Sequence, residues 1–316
     1  TFCIVYCLTF HLLASFPGPW LATISVWWLY YEEKGWHVEE NLKVLHQKYG
    51  NIHIFQCTQP TFYLTIITLR EAKASFDEAH ANGKKFERVA LFDSLSSLFK
   101  KQTHSESIDI ITAGSDTTAT TLGYLINSVL ANPDILRKLR AELDAGLPDK
   151  KANWPLLELE RFEYQTACIK ETLRCGLPLQ ERLPQIVPYP QQGALPFVVD
   201  GKVITPGSIV GMSATTMHHS ESIWGPDSQV FKPERWLGPD SKQLEKFLVT
   251  FGKGARQCIG INLVYAELRI VASKLFRCLD MSLDSSMTKS DMNQLDCFTT
   301  SFEGIGVRVF IRGERS

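Results

Sequence analysis

The alternation of apolar and polar residues predicts a mainly helical chain. Between Ser107 and Asn132 the sequence is apolar at both ends and small and polar at its centre, which predicts one long helix. Asn132 and Pro133 then open a second helix, because asparagine is a favoured N-cap and proline fits the first helical turn. The apolar residues of this helix share one face: Ile135, Leu136, Leu139 and Leu143.

Shorter patterns complete the predicted framework. Helices are expected from about Phe162 to Cys175 and from Cys258 to about Leu279. The stretch FVVDGKVI places an Asp-Gly pair between β-branched runs, which is typical of a hairpin. Four more stretches are predicted outside these elements: a helix over residues 21–49, the strands NIHIF and SIVGMSATT, and a last strand VRVFI. The predicted fold class is mainly α with small β-sheets, and no internal repeat is evident.

The amino end of the chain is apolar from Phe2 to Phe16 apart from three polar residues, and this run ends at Pro-Gly-Pro. It is shorter than the roughly 20 residues that a membrane-spanning helix needs, and the chain begins at Thr1 without a methionine. We therefore interpret residues 1–16 as part of a transmembrane anchor. The core of a signal peptide and a buried helix are the alternatives, although Pro-Gly-Pro is a poor cleavage site.

Composition indicates one folded, enzyme-like body. The 316 residues are 44% hydrophobic and 21% charged, and the formal net charge is -1. A chain with so little net charge and no basic stripe is not expected to bind nucleic acid. The eight cysteines are scattered, without the dense spacing of a disulfide-stapled secreted domain, and no CxxC or HxxxH pair favours a structural zinc site.

The stretch FGKGARQCIG places Cys258 between an arginine and a glycine. Gly252 and Gly254 permit a tight turn around the sulfur, and the helix that follows offers its amino end, where a negatively charged sulfur is stabilised. A single thiolate with no second ligand nearby suits haem iron. A buried structural cysteine is one alternative. A glycine-rich nucleotide loop is another, although a glutamine replaces its third glycine.

Two other motifs carry paired polar groups. KETLR places Glu171 and Arg174 three residues apart on one helix face, where they can form an ion pair. Such a pair on the surface contributes little to stability. AGSDTT has a small Ala-Gly pair followed by Asp116 and Thr117, an acid and a hydroxyl suited to relaying protons. Threonines that bond their own helix backbone are the alternative.

These motifs, together with FKPERW at residues 231–236, resemble those of the cytochrome P450 family. The cysteine stretch is similar to the family's haem-binding signature at every fixed position, namely Phe251, Gly252, Gly254, Arg256, Cys258 and Gly260. The resemblance implies that Cys258 is the axial ligand of the haem iron. It also implies a buried network that braces the haem loop, formed by Glu171, Arg174 and Arg235.

The same resemblance assigns further roles. AGSDTT looks like the family's oxygen-binding helix segment, in which Asp116 and Thr117 would relay protons. Arg256, from the signature, and Arg182, in ERLPQIVP, would hydrogen-bond the haem propionates. The neighbouring histidines 218 and 219 point to different sides of the backbone, so we interpret them as structural rather than as metal ligands.

Four stretches resemble fungal secondary-metabolism members of the family similar to trichodiene oxygenase: FPGPWLA, LHQKYG, HHSESIW and GINLVYAEL. This resemblance implies a monooxygenase that inserts one oxygen atom from O2 into an apolar small molecule, such as a terpenoid or polyketide, by hydroxylation or epoxidation. The implied cofactor is haem b, with electrons from NADPH through a cytochrome P450 reductase. The implied location is the endoplasmic reticulum membrane, with the haem domain on the cytosolic side.

The predicted haem domain, residues 17–316, is shortened relative to the family. A short segment joins KYG to AGSDTT where family members have a much longer one, so the resemblance implies an incomplete fold that largely lacks the helices between the N-terminal region and the oxygen-binding helix. Those helices roof the substrate pocket and supply a Trp/Arg pair to the haem. A catalytically impaired relative that acts as a scaffold or pathway partner, and an incorrect gene model, are the alternatives.

Overall fold

The computed structural model describes residues 18–19, 38–49, 102–180, 182–190, 195–296 and 298–315. The anchor predicted at residues 1–16 and the strand NIHIF lie outside these ranges. Within them, no helix is both long and apolar enough to cross a membrane.

Helices dominate the described residues. They are α1 Val38–Tyr49, α2 Gln102–Leu130, α3 Pro133–Gly146, α4 Leu156–Leu159, α5 Glu163–Cys175, α6 Ala214–His218, α7 Glu221–Trp224, α8 Ser241–Leu244 and α9 Ile261–Cys278. Single 3-10 turns occur at Pro233–Trp236, Glu245–Phe247, Gly254–Arg256 and Lys289–Met292. The long helix expected before Asn132 is α2.

The short strands in the described part of the chain form two-stranded antiparallel sheets. The pairs are β1 Gln185–Ile186 with β4 Ile209–Val210, β2 Val198–Val199 with β3 Lys202–Val203, β5 Leu279–Leu283 with β8 Val309–Glu314, and β6 Gln294–Leu295 with β7 Ser301–Phe302. In the longest pair, Leu283 lies opposite Val309, and the register shifts between Asp280 and Met281. The prediction of a mainly α fold with small β-sheets is confirmed.

The predicted hairpin forms because its turn residues accept left-handed backbone angles. Asp200 and Gly201 have φ values of 51° and 73°, as a two-residue turn between twisted strands requires. The strand predicted for SIVGMSATT is largely wrong, since only Ile209–Val210 is extended. Helix α6 begins four residues later because Ser213 caps it, its hydroxyl accepting from the Thr216 amide at 3.0 Å.

The ends of α3, α5 and α9 agree with the prediction in part. Pro133 opens α3 as expected, but the Asn132 side chain does not cap it. The amide donates instead to the Ser128 carbonyl at 2.7 Å, because the end of α2 leaves that oxygen within reach. Helix α5 ends at Cys175 as predicted, whereas α9 begins at Ile261, after the cysteine stretch.

One hydrophobic core joins α2, α3, α4, α5 and α9. The face predicted for α3 is buried at Ile135, Leu139 and Leu143, with Leu136 at the edge of the core. Helix α5 lies at the centre and buries ten of its 13 residues. Several of these buried residues are polar or charged, so α5 needs hydrogen-bond partners from the segments around it.

Close packing at the end of α5 depends on a glycine. A Cβ atom at Gly176 would lie 2.4 Å from the ring of Tyr124 on α2. Because no side chain fits in that space, glycine lets the last turn of α5 lie directly against α2.

The short helix α4 offers a matched test of this core. Leu159 is 1% exposed within the core, and Leu157, two residues earlier, is 74% exposed. We expect Leu159→Ala to lower the free energy of unfolding by about 2–5 kcal/mol, because it leaves a cavity. Leu157→Ala should change it by less than about 0.5 kcal/mol. Urea denaturation of both variants measures the difference, and equal midpoints would contradict the described packing.

Candidate functional site

The Glu171 carboxylate is fully buried on α5 and accepts five hydrogen bonds. Arg174, one turn later, donates to it from Nε at 2.9 Å and from Nη2 at 2.8 Å. Arg235 Nε donates at 2.9 Å. The other two donors, also at 2.9 Å, are the Lys232 amide and the Trp236 indole. The two oxygens are therefore saturated, as a carboxylate without access to water requires.

The Arg174 guanidinium is equally enclosed, with 0% of its side chain exposed. Its remaining N–H groups donate to three backbone carbonyls, those of His218, Ser228 and Val230. All five donors of an arginine are thus used. The guanidinium also lies 5.0 Å from the centre of the Trp224 ring. One side chain therefore fixes the chain path from α6 to the segment before the 3-10 turn at Pro233–Trp236.

Arg235 adds a second positive charge beside Glu171. Its side chain is 7% exposed and contacts Asp227 as well as Glu171, with Nη2 3.4 Å from the Asp227 carboxylate. Two arginines therefore face two carboxylates, of which Glu171 is fully buried and Asp227 is 34% exposed and also pairs with Lys232. Losing one partner would leave a buried charge uncompensated, which is far more costly than losing a surface ion pair. We name Glu171, Arg174 and Arg235 the buried ion network.

The cysteine stretch forms a tight loop immediately before α9. Gly252 and Gly254 have φ values of 66° and 80°, which glycine adopts without strain. These turns allow the Cys258 amide to donate to the Phe251 carbonyl at 2.8 Å, which closes the loop. Gly260 follows, and a Cβ atom there would lie 3.8 Å from the Cys258 sulfur. We name residues 251–260 the cysteine loop.

The cysteine loop is tied to the core at its first residue. The Phe251 ring packs on Tyr265 of α9, with ring centres 5.7 Å apart. The two preceding residues are bound to α5 and to α6, respectively through Thr250 and Val249. The Thr250 hydroxyl donates to the Leu173 carbonyl at 2.7 Å, and the Val249 amide donates to Nε2 of His218 at 2.9 Å.

Cys258 differs chemically from the cysteines of α5. Burial raises the pKa of the Cys175 thiol to about 12 and raises that of Cys168 well above its usual value. Those thiols therefore stay protonated and are poor metal ligands. Cys258 is exposed, so its sulfur is accessible to a group that approaches from outside. A single accessible sulfur on a glycine-rich loop at the amino end of a helix fits one axial bond to haem iron.

The residues predicted to relay protons lie on α2. Asp116 is exposed and Thr117 is half-buried. The Thr117 hydroxyl donates to the Ala113 carbonyl at 2.7 Å, one turn earlier. Such a bond to the helix backbone is the alternative to a proton relay that the sequence also allowed. A Cβ atom at Gly114 would have nothing within 4 Å, so this side of α2 has room for a small ligand.

The two arginines predicted to bind haem propionates lie apart in the sequence. Arg256 ends the 3-10 turn inside the cysteine loop and is exposed. Arg182 precedes β1, and its carbonyl accepts from the Met212 amide at 3.2 Å. Its charge also acts on Asp296, since burial raises the pKa of that carboxyl and Arg182 partly opposes the increase. The propionate role of both arginines stays a prediction.

The structure brings together the predicted network residues and adds partners that the sequence did not indicate. Glu171, Arg174 and Arg235 meet as a unit. The sequence analysis missed four contributors: Trp236, Asp227, Thr250 and the ring of His218. The signal for Trp236 was available, since the residue ends the FKPERW motif. His218 was interpreted as structural and is fully buried, whereas His219 is half-buried.

Comparison with known proteins gives a consistent match. The family model described as cytochrome P450 matches residues 40–303. A cytochrome P450 monooxygenase of Cochliobolus heterostrophus is 40% identical over 195 residues, 61% of this chain and 36% of that protein. An N-acetyltryptophan 6-hydroxylase of Emericella nidulans is 36% identical over 235 residues, covering 70% of this chain and 44% of that protein.

A third relative is also named as a hydroxylase. A fusicoccadiene C-8 hydroxylase of Alternaria brassicicola is 35% identical over 220 residues, 66% of this chain and 40% of that protein. The chain therefore spans about two fifths of the length of the curated relatives it matches.

A matched pair of substitutions tests the buried ion network. Glu171→Gln should lower the free energy of unfolding by about 3–5 kcal/mol, because it leaves the fully buried Arg174 without its counter-charge. The control is Asp134→Asn, which removes a pair of the same i, i+3 spacing whose side chains are 80% and 73% exposed. That change should cost less than about 1 kcal/mol. Denaturation curves compare the two, and a small effect of Glu171→Gln would contradict the burial described.

Proposed function

Because the chain belongs to the cytochrome P450 family, we propose that it binds haem b through the Cys258 sulfur and acts as a monooxygenase. The observation that carries the proposal is the accessible Cys258 on a closed, glycine-rich loop that is tied to the core. The proposed reaction is the insertion of one oxygen atom from O2 into an apolar small molecule, by hydroxylation or epoxidation.

Each predicted cofactor-binding residue has a defined task in this proposal. Cys258 would hold the haem iron through its sulfur, on a loop shaped by Phe251, Gly252 and Gly260. Arg256 and Arg182 would hydrogen-bond the haem propionates. When bound, haem supplies the activation of dioxygen, which an electron-rich thiolate ligand favours. The buried ion network fixes the surrounding backbone and touches neither haem nor substrate.

Asp116 and Thr117 are the proposed route for protons. The exposed Asp116 carboxyl group is in contact with water, and the Thr117 hydroxyl lies one turn from Gly114, beside which the structure leaves open space. The Thr117 hydroxyl now donates to a helix carbonyl, and it retains lone pairs that accept a hydrogen bond from a bound ligand or water. Proton delivery by a positioned hydroxyl and acid is ordinary general acid catalysis.

The proposed substrate class rests on the names of the relatives, which include a fusicoccadiene hydroxylase, an N-acetyltryptophan hydroxylase and a tryptophan hydroxylase. These names specify hydroxylation of a diene and of tryptophan compounds, so we propose a terpenoid, polyketide or aromatic substrate. The proposed partners are an NADPH-dependent cytochrome P450 reductase and the endoplasmic reticulum membrane, with residues 1–16 as the anchor and residues 17–316 as the cytosolic haem domain.

One observation favours a second candidate function. Residues 110–116, almost two turns of α2, are all exposed, although they include Gly114 and Asp116, beside which substrate would be oxidised. Enclosure of the reacting groups excludes water and orients the substrate. A chain that holds haem but leaves this side open would be an inefficient oxygenase, and would act instead as a non-oxidising partner of other pathway enzymes.

Cysteine substitutions test the proposed ligand. In reduced, carbon-monoxide-treated protein we expect the red-shifted Soret band of a thiolate-ligated ferrous haem, and Cys258→Ser should remove it. Cys278→Ser is the control, because that thiol is half-buried and its sulfur contacts the Lys150 carbonyl at 3.7 Å. This variant should keep the band. A band that survives Cys258→Ser would refute the assignment.

The proton route has its own matched test. Thr117→Ala should raise the ratio of hydrogen peroxide to oxidised product with the first substrate that is turned over, because proton delivery is impaired. Ser115→Ala is the control, since its hydroxyl makes the same backbone bond one turn back, to the Ile111 carbonyl at 2.8 Å. It should leave the ratio unchanged. Equal ratios in both variants would remove the role proposed for Thr117.

A further inference from the structure

The His218 ring is held by hydrogen bonds at both nitrogens. It ends α6 and is 0% exposed. Nδ1 lies 3.1 Å from the Arg174 carbonyl, and Nε2 lies 2.9 Å from the Val249 amide. A backbone N–H only donates, so Nε2 is the acceptor. Nδ1 therefore carries the proton and donates to the carbonyl, which fixes one neutral tautomer.

The bond from His218 completes the end of α5. The last carbonyls of a helix have no partner within it. Here the Thr172 carbonyl accepts from Gly176, and that of Leu173 accepts from Thr250. The Arg174 carbonyl accepts from His218, and that of Cys175 accepts from the Gln294 side chain at 3.4 Å. The Leu173 carbonyl thus binds Thr250 directly, and the Arg174 carbonyl is linked to Val249 through the His218 ring, so both residues before the cysteine loop are connected to the end of α5.

The position of His218 is fixed by the buried ion network. Its own carbonyl accepts from Arg174 Nη1 at 2.7 Å, so Arg174 contacts this residue through both its side chain and its backbone. The ring also meets the edge of Trp224, with centres 6.3 Å apart at 89°. Burial and the Arg174 charge lower the pKa of His218 to about 3, which keeps Nε2 free to accept.

We infer that His218 is a positioning residue for the cysteine loop, which transmits the fixed geometry of the buried ion network to the backbone at Val249. The link runs from Glu171 through Arg174 to the imidazole and then to the residue two positions before Phe251. Thr250 provides a parallel bond to α5 but does not contact the network. The consequence for the haem ligand rests on the proposed function, whereas the effect on the loop itself does not.

Two isosteric substitutions separate the two halves of this link. In His218→Gln the amide oxygen takes the place of Nε2 and still accepts from Val249. In His218→Asn the amide nitrogen takes the place of Nδ1 and still donates to Arg174, but the Val249 amide loses its acceptor. His219→Gln is the control, because this half-buried neighbour lies on the same short segment, whereas the acceptor of the Val249 amide is the ring of His218.

Hydrogen exchange of the full chain, prepared without haem, is the first measurement. The Val249 amide should exchange roughly tenfold faster in His218→Asn than in the native chain, as expected for one lost hydrogen bond. It should stay close to native in His218→Gln and His219→Gln, and amides of α9 should be unchanged in all three. Unchanged Val249 exchange in His218→Asn, or an equal acceleration throughout α5 and α9, would overturn the inference.

The second measurement is the fraction of haem that shows the thiolate-type carbon monoxide band. It should fall in His218→Asn and stay near native in His218→Gln. If the native chain shows no such band, the proposed function fails, and the exchange experiment still decides the role of His218. If His218→Asn does not fold, a folded His218→Gln chain with an unprotected Val249 amide contradicts the inference.

Discussion

The buried carboxylate of Glu171 is the constraint on which the rest of the structure depends. A charge removed from water is tolerated when it is paired and fully hydrogen-bonded. Glu171 meets this condition by drawing donors from its own helix and from the segment at residues 232–236. The buried Arg174 guanidinium in turn donates hydrogen bonds to the carbonyls of residues 218, 228 and 230. The irregular chain between α6 and the PERW turn is therefore ordered by two side chains of one helix.

The cysteine loop benefits from this order without contacting the carboxylate. Its conformation is set locally by Gly252 and Gly254, which give the turn, and by the bond between Cys258 and Phe251. Its location is set near the end of α5, where the Leu173 carbonyl binds Thr250 and the Arg174 carbonyl binds His218, whose ring in turn binds Val249. The sulfur can remain exposed because the backbone that carries it is bound at one end to α5 and at the other to α9. An accessible sulfur thus lies on a fixed support, as the proposed haem ligand requires.

The sequence predicted the parts of this arrangement that follow from periodicity and from local motifs. The apolar face of α3, the extent of α5 and the Asp-Gly hairpin were all predicted because each depends on neighbours in the chain. The motifs also identified the three members of the buried ion network. The bonds of Thr250 and His218 were not predictable, since they join segments 77 and 44 residues apart through backbone atoms. Backbone acceptors leave no mark on the sequence, and the N-cap at Ser213 overrode the predicted strand.

The partners of Arg174 also constrain the order in which the chain folds. The carbonyls that it binds lie 44, 54 and 56 residues further along the chain. Contacts of such separation form late, because a long loop must close before they contribute. When α5 leaves the ribosome, Glu171 and Arg174 have only each other as partners, and the other N–H groups of Arg174 stay hydrated until residues 218–230 have been made. Helix α5, the most buried helix among the described residues, therefore gains its full set of hydrogen bonds only after the segments that follow it have folded.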